Sequence, residues 1–442
     1  FWSLFFGSWI ILVKYFFVFN RPVSPQFIFI FVLTLIFILL QILTQSERKR
    51  HFLVLLASLN FGLLFHLYPY YWTYFSTILV GLIIIFWWQK KFDLVKTTAT
   101  IFIIGLLIGT PYFYQVWQAS HLTAFAETLN RLGLLKTRFP SGIGTVFPAT
   151  IVAIGYLFFW KRFVRGSNVG IFFFIGVLAV FINMNQHIIT GKNQFFSSHY
   201  DMISYFFMAF AAVLLVWQNQ RIVNFLKLRL VKVVLVIILL IIFIPRFVEK
   251  LNFNQEFWKN RQRFGQVFDW LNVNTQKDSV IISDEILSSM IPSYTHNNVF
   301  FAPAGGLFFV GNQEILDRFV LNNFWQKDFN EEYIKNNLSS VYGFQLLAQM
   351  GKAKQNNKLK KILGIPQEDA YKYLAPPDKI QKVFEYFKTK TEQDWVDGLK
   401  KYHVNYLIFD QLNPDWITKG LSQYQFLKPV YNINGITIYE VK

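Results

Sequence analysis

Nine apolar runs crowd the first 245 residues: 2–19, 26–45, 52–67, 72–88, 97–116, 147–161, 169–184, 199–217 and 231–245. A bilayer core takes about 20 apolar residues per helix. A backbone in lipid must satisfy its own hydrogen bonds, so runs of this length are expected to be helices. The remaining residues, 246–442, are mixed in polarity and long enough to bury a core of their own. The expected fold class is therefore a polytopic α-helical membrane protein of nine spans (1–245) followed by a small extracytoplasmic α/β domain (246–442).

Charge sharpens the division. Residues 1–245 hold 19 Lys and Arg against 4 Asp and Glu, and residues 246–442 hold 24 against 21. About +15 of the net +18 thus falls in the apolar half. The basic residues stand in short clusters rather than one stripe, which is no nucleic-acid footprint. The connections 46–51, 89–96, 161–168 and 218–232 are every second one, and they carry 13 Lys and Arg. The alternate connections carry only Arg21, Arg131, Lys136, Arg138 and Lys192. The positive-inside rule puts the first set in the cytoplasm and the C-terminal domain outside, in a multi-pass protein of the cell membrane. HLYPYYWTYF (66–75) reads as an interfacial aromatic belt. There is no Cys, which excludes disulfides, thiolate metal sites and a thiol nucleophile. The chain begins FWSLFFGSW, without Met or a signal-peptide pattern, and reads as a piece of a longer protein with a catalytic element able to lie upstream.

In the second half, 254–272 reads as an amphipathic helix and SVIIS (279–283) as a buried strand followed by a short helix 285–291. Residues 299–301 and 404–409 read as further strands, and 313–324, 331–350, 378–388 and 393–402 as helices. Residues 352–361 read as a solvated basic segment, and Asn434–Gly435 as a hairpin turn. APAGGLFFVG (302–311) lacks the spacing of a phosphate-binding loop and reads as a turn. Asp284–Glu285 and Glu331–Glu332 read as solvated charges.

The polar stretch NMNQHIITGKNQFFSSHYD (183–201) between two apolar runs is expected to be an outer loop at the mouth of a membrane cavity. Of the four acids in the membrane half, only Glu127 and Asp201 fall on the outer side, so general-base or metal-holding work there rests on these two. A carboxylate at membrane depth is a functional candidate; the alternative is a helix cap in the first turn. His66, His121, His187 and His199 share that side. With the two acids they would suit a divalent metal ion or acid–base work, though their spacing matches no compact metal motif. Arg131, Lys136 and Arg138 form a basic outer patch, fit for a phosphate or for lipid headgroups. Glu127 and Arg131 are four apart on one helical face. Lys192, Gln194, His199 and Tyr200 complete a substrate-binding set with Arg131, Lys136, Arg138 and His187.

Three places resemble polytopic glycosyltransferases of the GT-C class: the loop NQHIITGKNQFFSSHYD, the stretch FDWLNVNTQKDSVIISDEILSSMIPSYTHNNVFF and the strand-like KKYHVNYLIFD. The resemblance implies transfer of a sugar from a lipid-linked, polyprenyl-phosphate donor to an acceptor on the outer face, with membrane lipid and that donor as partners. The first outer connection, FNRPVSPQ, carries no acid where the class has one, so no catalytic residue is carried over. Two other readings stand beside it. One is a transporter or flippase of a lipid-linked or anionic substrate, against which the near absence of ionisable residues in the spans counts. The other is a non-catalytic membrane scaffold.

Overall fold

A computed structural model describes residues 26–45, 50–161, 166–193, 199–217, 261–302, 309–326, 328–413 and 420–442, with scattered single positions between 224 and 259. The chain forms two compact units, 1–119 with 136–247 and 120–135 with 248–442. The second unit thus takes in a segment that lies between two apolar helices in the sequence.

In the first unit, helices Gln26–Thr44, Arg50–Leu67, Pro69–Trp88, Phe92–Ile108, Ile143–Phe158, Asn168–Asn185 and Tyr200–Trp217 correspond to seven of the nine expected spans. The first expected span lies outside the described residues, and the ninth almost wholly so. Among the described residues, five helices are long and apolar enough to cross a membrane, and a sixth is counted if a bent pair is one span. That pair, Phe92–Ile108 and Thr110–Ser120, bends by 47° at Gly109. Helix Ile143–Phe158 is apolar but shorter than a full span. Outward-facing side chains are apolar too: Phe37, Trp87 and Leu107 are each more than 60% exposed. Such a surface suits lipid and is rare in water, and the chain reads as an integral-membrane protein.

Close helix contacts run through small residues, as expected where lipid supplies no hydrophobic drive for association. A Cβ on Gly62 would meet Ile108 at 2.6 Å, and one on Gly81 would meet Ile175 at 2.6 Å. The aromatic segment after His66 is not simply an interfacial belt. Pro69 starts a helix, and Tyr71 and Tyr74 face inward and are buried. The Tyr74 hydroxyl donates to the Gly176 carbonyl at 2.7 Å, which removes the usual reason for a tyrosine to seek water. The connection expected at 89–96 is also shorter, because a helix already begins at Phe92 with Asp93 in its first turn.

The second unit is a three-layer α/β fold. Its sheet contains β1 (Val280–Ile282), β2 (Asn298–Val299), β3 (Val404–Asp410), β4 (Leu427–Ile433) and β5 (Ile436–Val441) in the order β2-β1-β3-β5-β4. The first three are mutually parallel, and the hairpin β4–β5 adds antiparallel to β3. Asn434 and Gly435 both take positive φ, 50° and 78°, in the tight turn of that hairpin. Strand residues alternate between two cores. Ile281, Ile408, Ile436 and Ile438 pack with Phe264, Val267, Leu271 and Leu287, while Ile282 and Leu407 join Phe319, Trp325, Leu338 and Trp395 on the opposite face. The helix expected over 331–350 breaks at Gly343, whose φ of 58° ends Glu331–Tyr342. The basic segment 352–361 is helical, within Gln345–Ile362.

Candidate functional sites

In the membrane unit the polar stretch is less of a loop than expected. Helix runs on through Asn185 and, as His187–Thr190, to Gly191, where φ of 73° stops it. The polar side chains satisfy themselves on helical carbonyls. Asn183 Nδ2 donates to the Ala179 carbonyl at 2.8 Å and to Thr77 Oγ1 at 3.2 Å, and Asn185 Nδ2 donates to the Phe181 carbonyl at 3.3 Å. Local bonding of this kind lets amides extend a helix that their composition would end.

Asp201 stands in the first turn of Tyr200–Trp217 and is buried. Its Oδ1 accepts a hydrogen bond from Thr145 Oγ1 at 2.6 Å. The carboxylate therefore ties two helices together and is more than a cap on its own. Tyr205, one turn on, donates to the Gly144 carbonyl at 3.4 Å. Tyr200 is buried, shares a hydrogen bond of 2.8 Å with Thr73 and meets Tyr70 edge-on at 5.1 Å. His199 Nδ1 bonds the Tyr68 hydroxyl, and the two rings stack at 5.7 Å. Asp201, Tyr200 and His199 thus form one polar, aromatic rim at a helix start.

The other candidates fall elsewhere. His187 is buried, with Nε2 at 2.7 Å from the Phe139 carbonyl. His66 Nε2 lies 3.2 Å from the Ile108 carbonyl. Arg138 is exposed, and its guanidinium donates to the carbonyls of Ile188 and Ile189 at 2.7 and 2.9 Å, closing the C-terminus of a short helix. Lys136 and Lys192 are exposed, and Gln194 lies outside the described residues. Among the described residues no three His, Asp or Glu are grouped to hold a metal ion. His66, His187 and His199 each have a backbone or tyrosine partner, while His121 belongs to the second unit.

Glu127 and Arg131 also belong to the second unit. Arg131 is buried and donates to the Val310 carbonyl at 2.5 Å, to Thr128 Oγ1 at 3.0 Å and to Asn312 Oδ1. Burial lowers its guanidinium pKa, against the opposing pull of Glu127. Glu127 Oε2 accepts the backbone N–H of Asn312, the first residue of helix Asn312–Asn322, where a carboxylate meets the positive end of the helix dipole. The Arg131 carbonyl accepts the Phe344 N–H at 2.7 Å. These two residues pin the 120–135 segment to its own unit. Of the expected basic set, Arg131 and Arg138 are each engaged by protein oxygens, and Lys136 is exposed.

The second unit also holds a cleft of about 520 Å³ at the carboxyl ends of its parallel strands. The order β2-β1-β3 makes the gap between β1 and β3 a topological switch point, where open α/β sheets leave a crevice. Ser283 and Asp284 follow β1 directly and line it, as does Asn413 just beyond β3. Asp284 is no solvated charge, being 3% exposed. Its Oδ1 accepts the Leu287 N–H at 2.9 Å and caps Glu285–Tyr294. Burial raises its pKa, with the Asp410 charge pushing the same way and the Leu287 N–H and Asn413 side chain pulling back. Asp410, at the end of β3, is instead neutralised by Arg263 through both carboxylate oxygens. Asn322 lines the cleft, is 6% exposed, and its Oδ1 has no hydrogen-bond partner. Sequence reasoning missed this cleft. The signal available was an acid directly after a buried strand, D284 after SVIIS.

Comparison with known protein families and with curated proteins finds no match.

Proposed function

We propose that the chain is an integral-membrane glycosyltransferase that moves a sugar from a lipid-linked donor to an acceptor on the extracytoplasmic face. The observation that carries this reading is Asp201, a carboxylate buried at the start of a membrane-length helix and held by Thr145 from another helix. Buried acids at membrane depth are costly to keep and mark working sites. In the reaction Asp201 takes the proton of an acceptor hydroxyl as its oxygen attacks the anomeric carbon, and the lipid phosphate leaves with the bonding electrons. His199, Tyr200 and Tyr68 line the same helix start and offer hydrogen bonds to sugar hydroxyls. Lys136 and Lys192 are exposed and supply charge for a phosphate. The basic connections at 46–51, 89–96, 161–168 and 218–232 support a cytoplasmic placement of that side and an extracytoplasmic second unit.

The test is transfer of radiolabel from polyprenyl-phosphate sugars in membranes carrying the full chain. Asp201→Asn is expected to lower transfer by about 100-fold or more, in line with loss of a general base, with unchanged yield of folded protein. Full activity in Asp201→Asn would remove Asp201 from the mechanism. A second reading, a transporter of a lipid-linked substrate, is favoured by the 47° bend at Gly109, since broken helices frame transporter sites. Lipid-linked substrate crossing the bilayer in proteoliposomes without any sugar transfer would select it.

A further inference from the structure

We propose that the cleft at the carboxyl ends of β1 and β3 binds a short, uncharged saccharide. Asn322 lines it, and the buried Asn322 Oδ1 makes no hydrogen bond within the protein. A buried polar atom without a partner is costly, and a ligand that donates to it removes that cost. The lining narrows what the ligand is. Most lining residues carry amides, hydroxyls or carboxylates, with Ile286, Phe301 and Phe319 as the apolar part. An amide presents both a donor and an acceptor, and a hydroxyl does the same, so neighbouring sugar hydroxyls find complementary partners on such a wall. Ile286, more exposed than the two phenylalanines, offers an apolar surface for the C–H groups of a sugar ring.

Charge argues against an anionic ligand. No Lys or Arg lines the cleft among the described residues, whereas Asp284, Glu285, Asp328 and Glu332 do. A phosphate or carboxylate would face like charge there, which disfavours binding strongly. No cluster of acids among the described residues is arranged for a metal ion. The volume, about 520 Å³, falls within the range of small-ligand sites. Position agrees as well, because the crevice at the switch point is formed by strand ends whose side chains are fixed by the sheet. The proposal does not depend on the transfer reaction. A chain that binds saccharide here but transfers no sugar keeps this site and loses the transferase reading, and the converse holds equally.

The experiment is calorimetric titration of the full chain, in a detergent that carries no sugar, with maltotriose, cellotriose, mannotriose and chitotriose, and with a sialylated trisaccharide as the anionic probe. At least one neutral probe is expected to bind. Asn322→Leu and Asn336→Trp are each expected to weaken that probe ten-fold or more. Asn336 is exposed on the cleft wall, so its replacement plugs the cleft without touching the core, and it decides the matter if Asn322→Leu does not fold. Asn322→Leu removes an unpaired oxygen, so its thermal midpoint should hold or rise, whereas a merely structural Asn322 would give a lower midpoint and unchanged binding. Failure of every neutral probe, binding of the anionic probe alone, or full binding in both variants overturns the proposal.

Discussion

Asp201 and Asp284 are the same residue in the same kind of place, a buried carboxylate in the opening turn or cap of a helix, yet the two units treat them differently. In the membrane unit Asp201 accepts from Thr145 across a helix boundary, and its neighbours Tyr200 and His199 each bond a side chain of the Pro69–Trp88 region. In the second unit Asp284 spends one oxygen on its own helix and lines a cleft. The difference follows from the surroundings. Lipid offers no water to complete a polar group, so the bundle pairs such groups internally. A crevice open to solvent lets polar groups wait for water or a ligand, and that is what a binding site needs. Charged groups also find different partners: in the second unit Arg263 pairs with the Asp410 carboxylate, while in the membrane unit Lys91 bonds the Asn168 amide and Asp201 the Thr145 hydroxyl.

The sharpest test of that contrast is Arg131→Met. It strips partners from the Val310 carbonyl and Asn312 at a buried position, and an unmatched set of charge-assisted bonds costs about 2–3 kcal/mol. Protease cleavage within 120–135 should accelerate accordingly. If instead stability holds and phosphate binding is lost, Arg131 is an anion ligand and its structural role is wrong. Thr145→Val should have a smaller effect, about 1 kcal/mol, because hydrogen bonds between membrane helices are individually modest. Its readout is the thermal midpoint of the detergent-solubilised chain, and an unchanged midpoint would mean that Asp201 is held by other partners.

The smallest effect concerns Asp284 and pH. Its folded pKa is raised above the ordinary carboxylate range, so the folded state favours the protonated form. The contribution is fully present below the unfolded pKa and is lost as pH rises through the raised folded value. Stability should therefore carry a downward slope across that acidic window, and Asp284→Asn should flatten it. Asn caps a helix as well as Asp does, so little else should change. Melting curves measured from pH 4 to 7 on both proteins check this, and an identical slope in the variant would show that Asp284 is not the titrating group.

Much of the architecture was legible in the sequence because it rests on periodicity. The apolar runs, the strands SVIIS and VNYLIF, and the Asn434–Gly435 turn all appear as helices, strands and hairpin where the described residues include them. The errors share a cause. Asn183, Asn185 and Gln186 look like loop residues, yet they bond carbonyls or side chains four residues away and extend the helix. Tyr71 and Tyr74 look like residues of an interface, yet buried partners claim them. Glu127 and Arg131 look like a membrane-face pair, yet they dock their segment onto residues some 180 positions away. Composition reports what a side chain prefers in water and is blind to which acceptor the fold will bring to it.

What the sequence determined by itself was the partition: an apolar, basic stretch built for lipid and a mixed stretch able to fold around its own core, since hydrophobic length and charge are properties of consecutive residues. Only the tertiary structure decided where each polar group is satisfied. Thr145 meets Asp201 across 56 positions, and Asp284 joins Asn413 on one cleft wall because parallel strands bring their carboxyl ends to the same edge. Hydrogen bonding is short-ranged and directional, so a polar site exists only once distant segments have been brought within about 3 Å of each other.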